Sequence, residues 1–170
     1  MSEALTLYKL IVLYMLDQID FPLTNSQISE FILDKGYTTY FTLQQALSEM
    51  VEAGFIREES THNRTIYHIT EEGHDTIQYF KTNISTTLRS DVDTFLAEKS
   101  YELKNEVSVK ADYYPTNKNE FAVRCQIYEG DSVLIDLTLT VPSKDEAISI
   151  ANNWTKRNQE IYALIMTNLL

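Results

Sequence analysis

Three histidines, His62, His68 and His74, stand near Glu71, Glu72 and Asp75. Imidazole and carboxylate together form a common donor set for divalent metals, provided that they converge on one point. Here His62 falls in a polar turn, His68 in an alternating strand pattern and His74 in a helical pattern. No His-x-x-x-His pair occurs, and no metal site is expected. Cys125 is the single cysteine. It alternates with Val123 and Ile127, so it is expected to face a core as a small hydrophobe rather than act as a nucleophile. With only 4 glycines the chain has no glycine-rich phosphate loop. Neither catalysis nor a cofactor is expected.

The remaining chemistry is hydrogen bonding. Residues 38–59 read TTYFTLQQALSEMVEAGFIREE. On a helix with Leu43 turned inward, the outward arc holds Thr38, Phe41, Thr42, Gln45, Ser48, Glu49 and Glu52. The leading end therefore offers Thr38, Thr42 and Gln45, all neutral. Gln can pair with adenine in the major groove, and Thr or Phe can touch a thymine methyl. The same arc also suits an ordinary wet helix face. Phe41 is expected to pack under the N-terminal segment or against the preceding helix rather than anchor a partner.

Charge limits this reading. The chain has 170 residues and a net charge of −11. Residues 1–83 carry 5 Lys+Arg against 12 Asp+Glu, and residues 84–170 carry 9 against 13. No Lys or Arg occurs from Thr38 to Ile56. Neither half is basic, which weighs against strong non-specific binding to nucleic acid. Phosphate contacts would fall to Lys35, Arg57, Arg64 and Lys9. Arg64 sits in the turn Thr61–Arg64 beside His62 and Asn63. It reads equally as a phosphate contact or as a solvated turn residue.

The patterning that must position these groups is clear. Residues 4–19 predict a helix apolar nearly all round, with Leu5, Tyr8, Ile11, Val12, Met15 and Ile19 on one stripe and Leu7, Leu10, Leu13 and Leu16 on the other side. Such a helix belongs in a core, or is shared between a core and a partner subunit. A second helix starts at Thr24 or Asn25 and stops at Gly36. The third is capped by Thr38 or Thr39 and closed by Gly54. FIREES and TIYHIT then flank the polar turn as a hairpin. Thr70 caps a helix over 71–83. A further helix over 85–105 starts at a capping-box-like Ser90–Asp93 or at Ser85.

Beyond it the period changes to two. Val107–Tyr113, Phe121–Ile127 and Val133–Val141 predict an antiparallel meander. A helix opened by the capping box Ser143–Glu146 follows. An outer sheet face with Lys110, Asp112, Arg124 and Asp136 suggests cross-strand charge pairs. Tyr113, Tyr114, Tyr128 and Trp154 are candidates for a small-molecule pocket. The fold class is α+β, with a winged helix-turn-helix domain over 1–83, a connector helix over 84–105 and a βββα lobe over 106–170.

The stretch ALSEMVEAGFIREESTHNRTIYHITEEGHDTIQYF resembles bacterial winged-helix regulators of the PadR and MarR kind. The likeness rests on Leu47, Met50, Gly54 and Ile56, then on Tyr67-His68-Ile69-Thr70-Glu71-Glu72-Gly73. The whole chain also resembles an uncharacterised bacterial family of winged-helix proteins of about this length. The first resemblance implies a sequence-specific regulator that reads double-stranded DNA, and the two-sided apolarity of helix 4–19 and of the last helix suggests a homodimer. Its site would comprise Lys35, Thr38, Thr42, Gln45, Ser48, Arg57, His62, Asn63 and Arg64. Self-association is expected through helix 4–19, helix 144–170 or both. The alternative is a protein-interaction module that kept the fold and lost DNA. Met1-Ser2-Glu3 carries no secretory signature and the apolar run Leu10–Leu16 is too short to cross a bilayer, so a cytoplasmic protein is expected.

Overall fold

The computed structural model describes residues 3–170, with side chains from Leu7 onward. Met1 and Ser2 lie outside the described residues, and Leu5 lies outside the described side chains. The chain is α+β and divides into two compact units, Met1–Val107 and Ser108–Leu170. Among the described residues no helix is long and apolar enough to cross a membrane.

The first unit is built around α1 (Glu3–Asp17). Every residue from Leu10 to Leu16 is buried within this unit. That stretch keeps no exposed face, so the expected sharing of this helix with a partner is not available there. Around α1 follow β1 (Leu23–Thr24), α2 (Asn25–Asp34), α3 (Tyr40–Glu52), β2 (Ile56–Ser60), β3 (Thr65–Ile69), α4 (Glu71–Phe80), a 3₁₀ turn (Lys81–Asn83) and α5 (Thr86–Ser108). The two-residue strand β1 was not expected. It pairs Leu23 with Tyr67 and Thr24 with Ile66, which makes a three-stranded sheet in the order β1-β3-β2.

Local chemistry sets the boundaries. Thr24 caps α2 in a capping box with Gln27: Gln27 N–H donates to Thr24 Oγ1 at 3.0 Å, and Thr24 N–H donates to Gln27 Oε1 at 2.8 Å. α3 ends in a left-handed Gly54, φ +80°, with Phe55 N–H bonded to the Met50 carbonyl and Gly54 N–H to that of Val51. This is the Schellman pattern, and a β-carbon resists that φ. Thr70 caps α4, accepting from Gly73 N–H at 3.1 Å. Its hydroxyl also donates to the Gly54 and Phe55 carbonyls, at 2.6 and 2.9 Å. The Thr-x-x-Gly motif is thus a steric device: a Cβ at Gly73 would stand 2.0 Å from the Phe55 carbonyl oxygen.

α5 departs from the expected connector. Ser85, not Ser90, caps it, accepting from Leu88 N–H at 3.2 Å. It runs to Ser108, so Val107 is helical rather than the start of a strand. Val92, Leu96 and Leu103 join the core of the first unit. Tyr14 Oη donates to Asp93 at 2.9 Å and Tyr37 Oη to Asp91 at 3.0 Å. Lys99 pairs with Glu30. Buried Gln27 reaches the Leu103 carbonyl at 3.2 Å and Glu106 Oε2 at 2.5 Å. The unit therefore closes at Val107, not at residue 83.

The second unit is a sheet in the order β4-β5-β6 (Val109–Pro115, Phe121–Glu129, Ser132–Val141) with α6 (Lys144–Leu169) on one face. Both pairs are antiparallel, with a register shift at Ile127/Tyr128. Ser143 caps α6, and Ala147, Ala151 and Trp154 bury themselves against Val123 and Cys125. On the other face Arg124 forms the expected cross-strand pair with Asp136, at 3.0 and 2.6 Å.

Replacement of Gly73 by Ala is expected to cost about 3 kcal/mol in denaturant unfolding, the upper part of the overpacking range. A loss within about 0.5 kcal/mol would show that the Phe55 backbone yields.

Candidate nucleic-acid interface

The turn between α2 and α3 is fixed by side-chain amides. Asn25 Nδ2 donates to Gln44 Oε1 at 2.8 Å, and Gln44 Nε2 donates back to Asn25 Oδ1 at 3.0 Å. This reciprocal clamp holds α3 on α2. The sequence reading missed it, because two amides 19 positions apart carry no periodic signal. Tyr67 Oη accepts from the same Asn25 amide at 3.3 Å, bringing β3 into the clamp.

α3 starts at Tyr40 with Thr39 as its cap. Thr38 precedes the helix and is half-buried, so it does not stand on the outward arc as expected. Thr42 is half-buried, and its hydroxyl shares a hydrogen bond of 3.0 Å with Thr39. Gln45 and Ser48 are exposed. Phe41 is 85% exposed, against the expectation that it would pack inward. Tyr40, 53% exposed, meets it edge to face at 6.2 Å. The leading end of α3 therefore shows an aromatic pair, then Gln45 and Ser48 one and two turns on.

The charges are arranged differently from the sequence tally. Glu49 is held by Lys9 from α1 and accepts from Gln45 at 3.1 Å. The Lys9 hydrogen bond keeps the Glu49 carboxyl below its ordinary range. This neutralises one of the two acids on the outward arc and spends one of the expected cations. Glu52 remains exposed.

Arg64 does not reach outward from the hairpin tip. Its Nη1 donates to the Glu106 carbonyl in the last turn of α5, where the helix dipole favours a cation. Burial lowers its pKa, although the carboxylates of Glu106 and Glu59 oppose that shift. Lys35, Arg57, His62 and Asn63 are exposed. Of the four expected cations, Lys35 and Arg57 stay outward.

Two of the histidines each take a carboxylate partner. His68 Nε2 lies 3.1 Å from Glu59 Oε2, and His74 Nδ1 pairs with Asp17 at the end of α1. Asp17 also accepts from Gln78 at 2.7 Å. Among the described residues no three His, Cys, Asp or Glu side chains are grouped to hold a metal. Cys125 is buried, and burial pushes its thiol up to about 11, away from the thiolate. The four aromatics named for a small-molecule pocket do not converge. Tyr113 packs against the core that Trp154 of α6 enters, Tyr114 is exposed, and Tyr128 holds Lys110 over its ring at 4.6 Å.

Comparison with known proteins adds one finding. The model of a family described as Domain of unknown function (DUF4364) matches residues 8–169, nearly the whole chain, and the chain belongs to that family. No curated protein and no solved structure matches it.

Two outcomes follow from the placement of these side chains. Arg64→Ala is expected to lower stability by about 1.5 kcal/mol, as for a charge-assisted hydrogen bond, measured by denaturant unfolding. Unchanged stability would mean that the guanidinium does not hold the end of α5. The hydrogen bond to Asp17 raises the His74 pKa above its ordinary 6.5. A raised folded value stabilises fully below pH 6.5 and is lost as pH climbs through that folded value. The wild-type melting temperature is therefore expected to fall across the window just above pH 6.5 more than that of His74→Asn. Parallel profiles would dismiss the pair.

Proposed function

We propose that this member of the DUF4364 family is a sequence-specific DNA-binding protein of bacterial transcription control, related to the winged-helix regulators and without catalytic activity. The observation that carries the reading is the leading end of α3, which presents Phe41, Gln45 and Ser48 outward on a helix clamped to α2 and followed by a hairpin. A helix-turn-helix reads bases with the N-terminal part of its second helix. In this reading Gln45 pairs with adenine and Phe41 lies against a thymine methyl. Lys35 and Arg57 supply phosphate contacts, and exposed His62 and Asn63 touch the backbone from the hairpin turn. Arg64 serves the fold. The Lys9–Glu49 pair supports the reading, because it removes an unpaired carboxylate from the face that would meet phosphates. The protein would work in the cytoplasm, with the chromosome.

A second reading draws on the aromatic pair itself. Phe41 and Tyr40 side by side on an acidic chain also suit a groove on another protein, where aromatics serve as anchors. A duplex-binding assay separates the two.

Selection of genomic fragments, then binding over a salt series, is expected to recover discrete sequences. With two phosphate-contacting cations the salt slope should be about −1.8 per subunit. Arg57→Ala should reduce its magnitude by about 1 for all sequences. Gln45→Ala should cost about 1–3 kcal/mol on the preferred sequence and almost nothing on others. Failure to retain any duplex in dilute buffer would overturn the DNA reading and leave the protein-groove one.

A further inference from the structure

The sheet of the second unit has two unlike edges. β4 carries Lys110 and Asp112 and ends at Pro115, the usual guards of an exposed edge. β6 is the longest strand, SVLIDLTLTV, with one charge, no proline and no glycine. Among the described residues it pairs with β5 alone, so its other side offers a row of backbone donors and acceptors roughly 33 Å long. α6 lies chiefly over β4 and β5. The apolar row of β6 on the α6 face is left half-covered: Leu139 is 45% exposed, beside half-buried Ile135, Leu137 and Val141.

We propose that β6 is the homodimer interface, pairing antiparallel with β6 of a second copy to form one six-stranded sheet. The strand is complementary to itself. A two-fold axis at Leu137 sets Leu137 against its copy and Ile135 against Leu139, on the α6 face. On the other face it sets Asp136 against Thr138. No like charges stand directly opposite in this register, whereas an axis at Asp136 would oppose two carboxylates. A symmetric contact of this kind closes at two copies and hides both edges. Asp136 keeps its Arg124 partner within each copy, so no charge is stranded. The interface lies wholly in the second unit and does not rest on the DNA reading.

Sedimentation of the full chain without DNA is expected to show a dimer at micromolar concentration, with β6 amides losing protection from exchange on dilution. Leu139→Lys should weaken the dimer about 100-fold or more, as for a central interface residue. Thr138→Asp should weaken it by setting a carboxylate against Asp136 of the copy, while Thr138→Lys should not. Within one chain Thr138 lies beside Arg124, so the Asp variant keeps its fold, which circular dichroism verifies. A monomeric wild type, or a dimer indifferent to both Leu139→Lys and Thr138→Asp, would overturn the proposal.

Discussion

A helix without a polar face must be wrapped, and this constraint organises the first unit. Leu10–Leu16 expose almost nothing. Seven consecutive apolar residues point in every direction around the axis, so no single layer can cover them. α3, α4 and β3 pack on α1, and their hydrophobic stripes are the ones that read most clearly in the chain. Polar groups at the margins of α1 then fix its neighbours. Lys9 takes Glu49 of α3, Tyr14 takes Asp93 of α5, and Asp17 takes His74 and Gln78 of α4. Burial and the Asp93 contact push the Tyr14 phenol up to about 12, so it stays a donor throughout the neutral range.

These marginal contacts decide what the candidate interface can do. A cation count treats every Lys and Arg as available to a phosphate. Here Lys9 and Arg64 are engaged inside the unit. The outward face keeps two exposed cations, neutral hydrogen-bonding groups and an aromatic pair. Any recognition by this surface therefore leans on shape and neutral contacts more than on counterion release, which scales with neutralised phosphates. The amide clamp between Asn25 and Gln44 matters for the same reason. Weak electrostatics place the burden on a helix that is already held in position.

The second unit presents the opposite balance. Its inner core is compact, with Trp154 Nε1 donating to the Gln126 carbonyl at 3.3 Å and buried Asn158 donating to the Trp154 carbonyl at 3.0 Å. Yet one helix is too narrow to roof three strands, and β6 is left with both an open edge and a half-covered row. Two deficits on one strand suit a single remedy, since strand addition extends the ladder and the apolar face together.

The sequence alone settled what depends on neighbours within a few positions. Caps at Thr70 and Ser143, a cap at Thr24 or Asn25 and another at Thr38 or Thr39, stops at Gly36 and Gly54, and the switch from helical to alternating period all lie in short windows, and their physics is local. The α+β class and the three-stranded sheet under a long helix followed from them. Thr38 missed the cap by one residue because two adjacent threonines cap equally well, and only the packed helix selects Thr39. Tertiary structure decided the rest. It bound α5 into the first core, turned Arg64 inward, paired Lys9 with Glu49, and left Phe41 exposed. Each is a contact, or a missing contact, between residues far apart in the chain. Burial and ion pairing depend on what another element brings near, and no period or spacing encodes that.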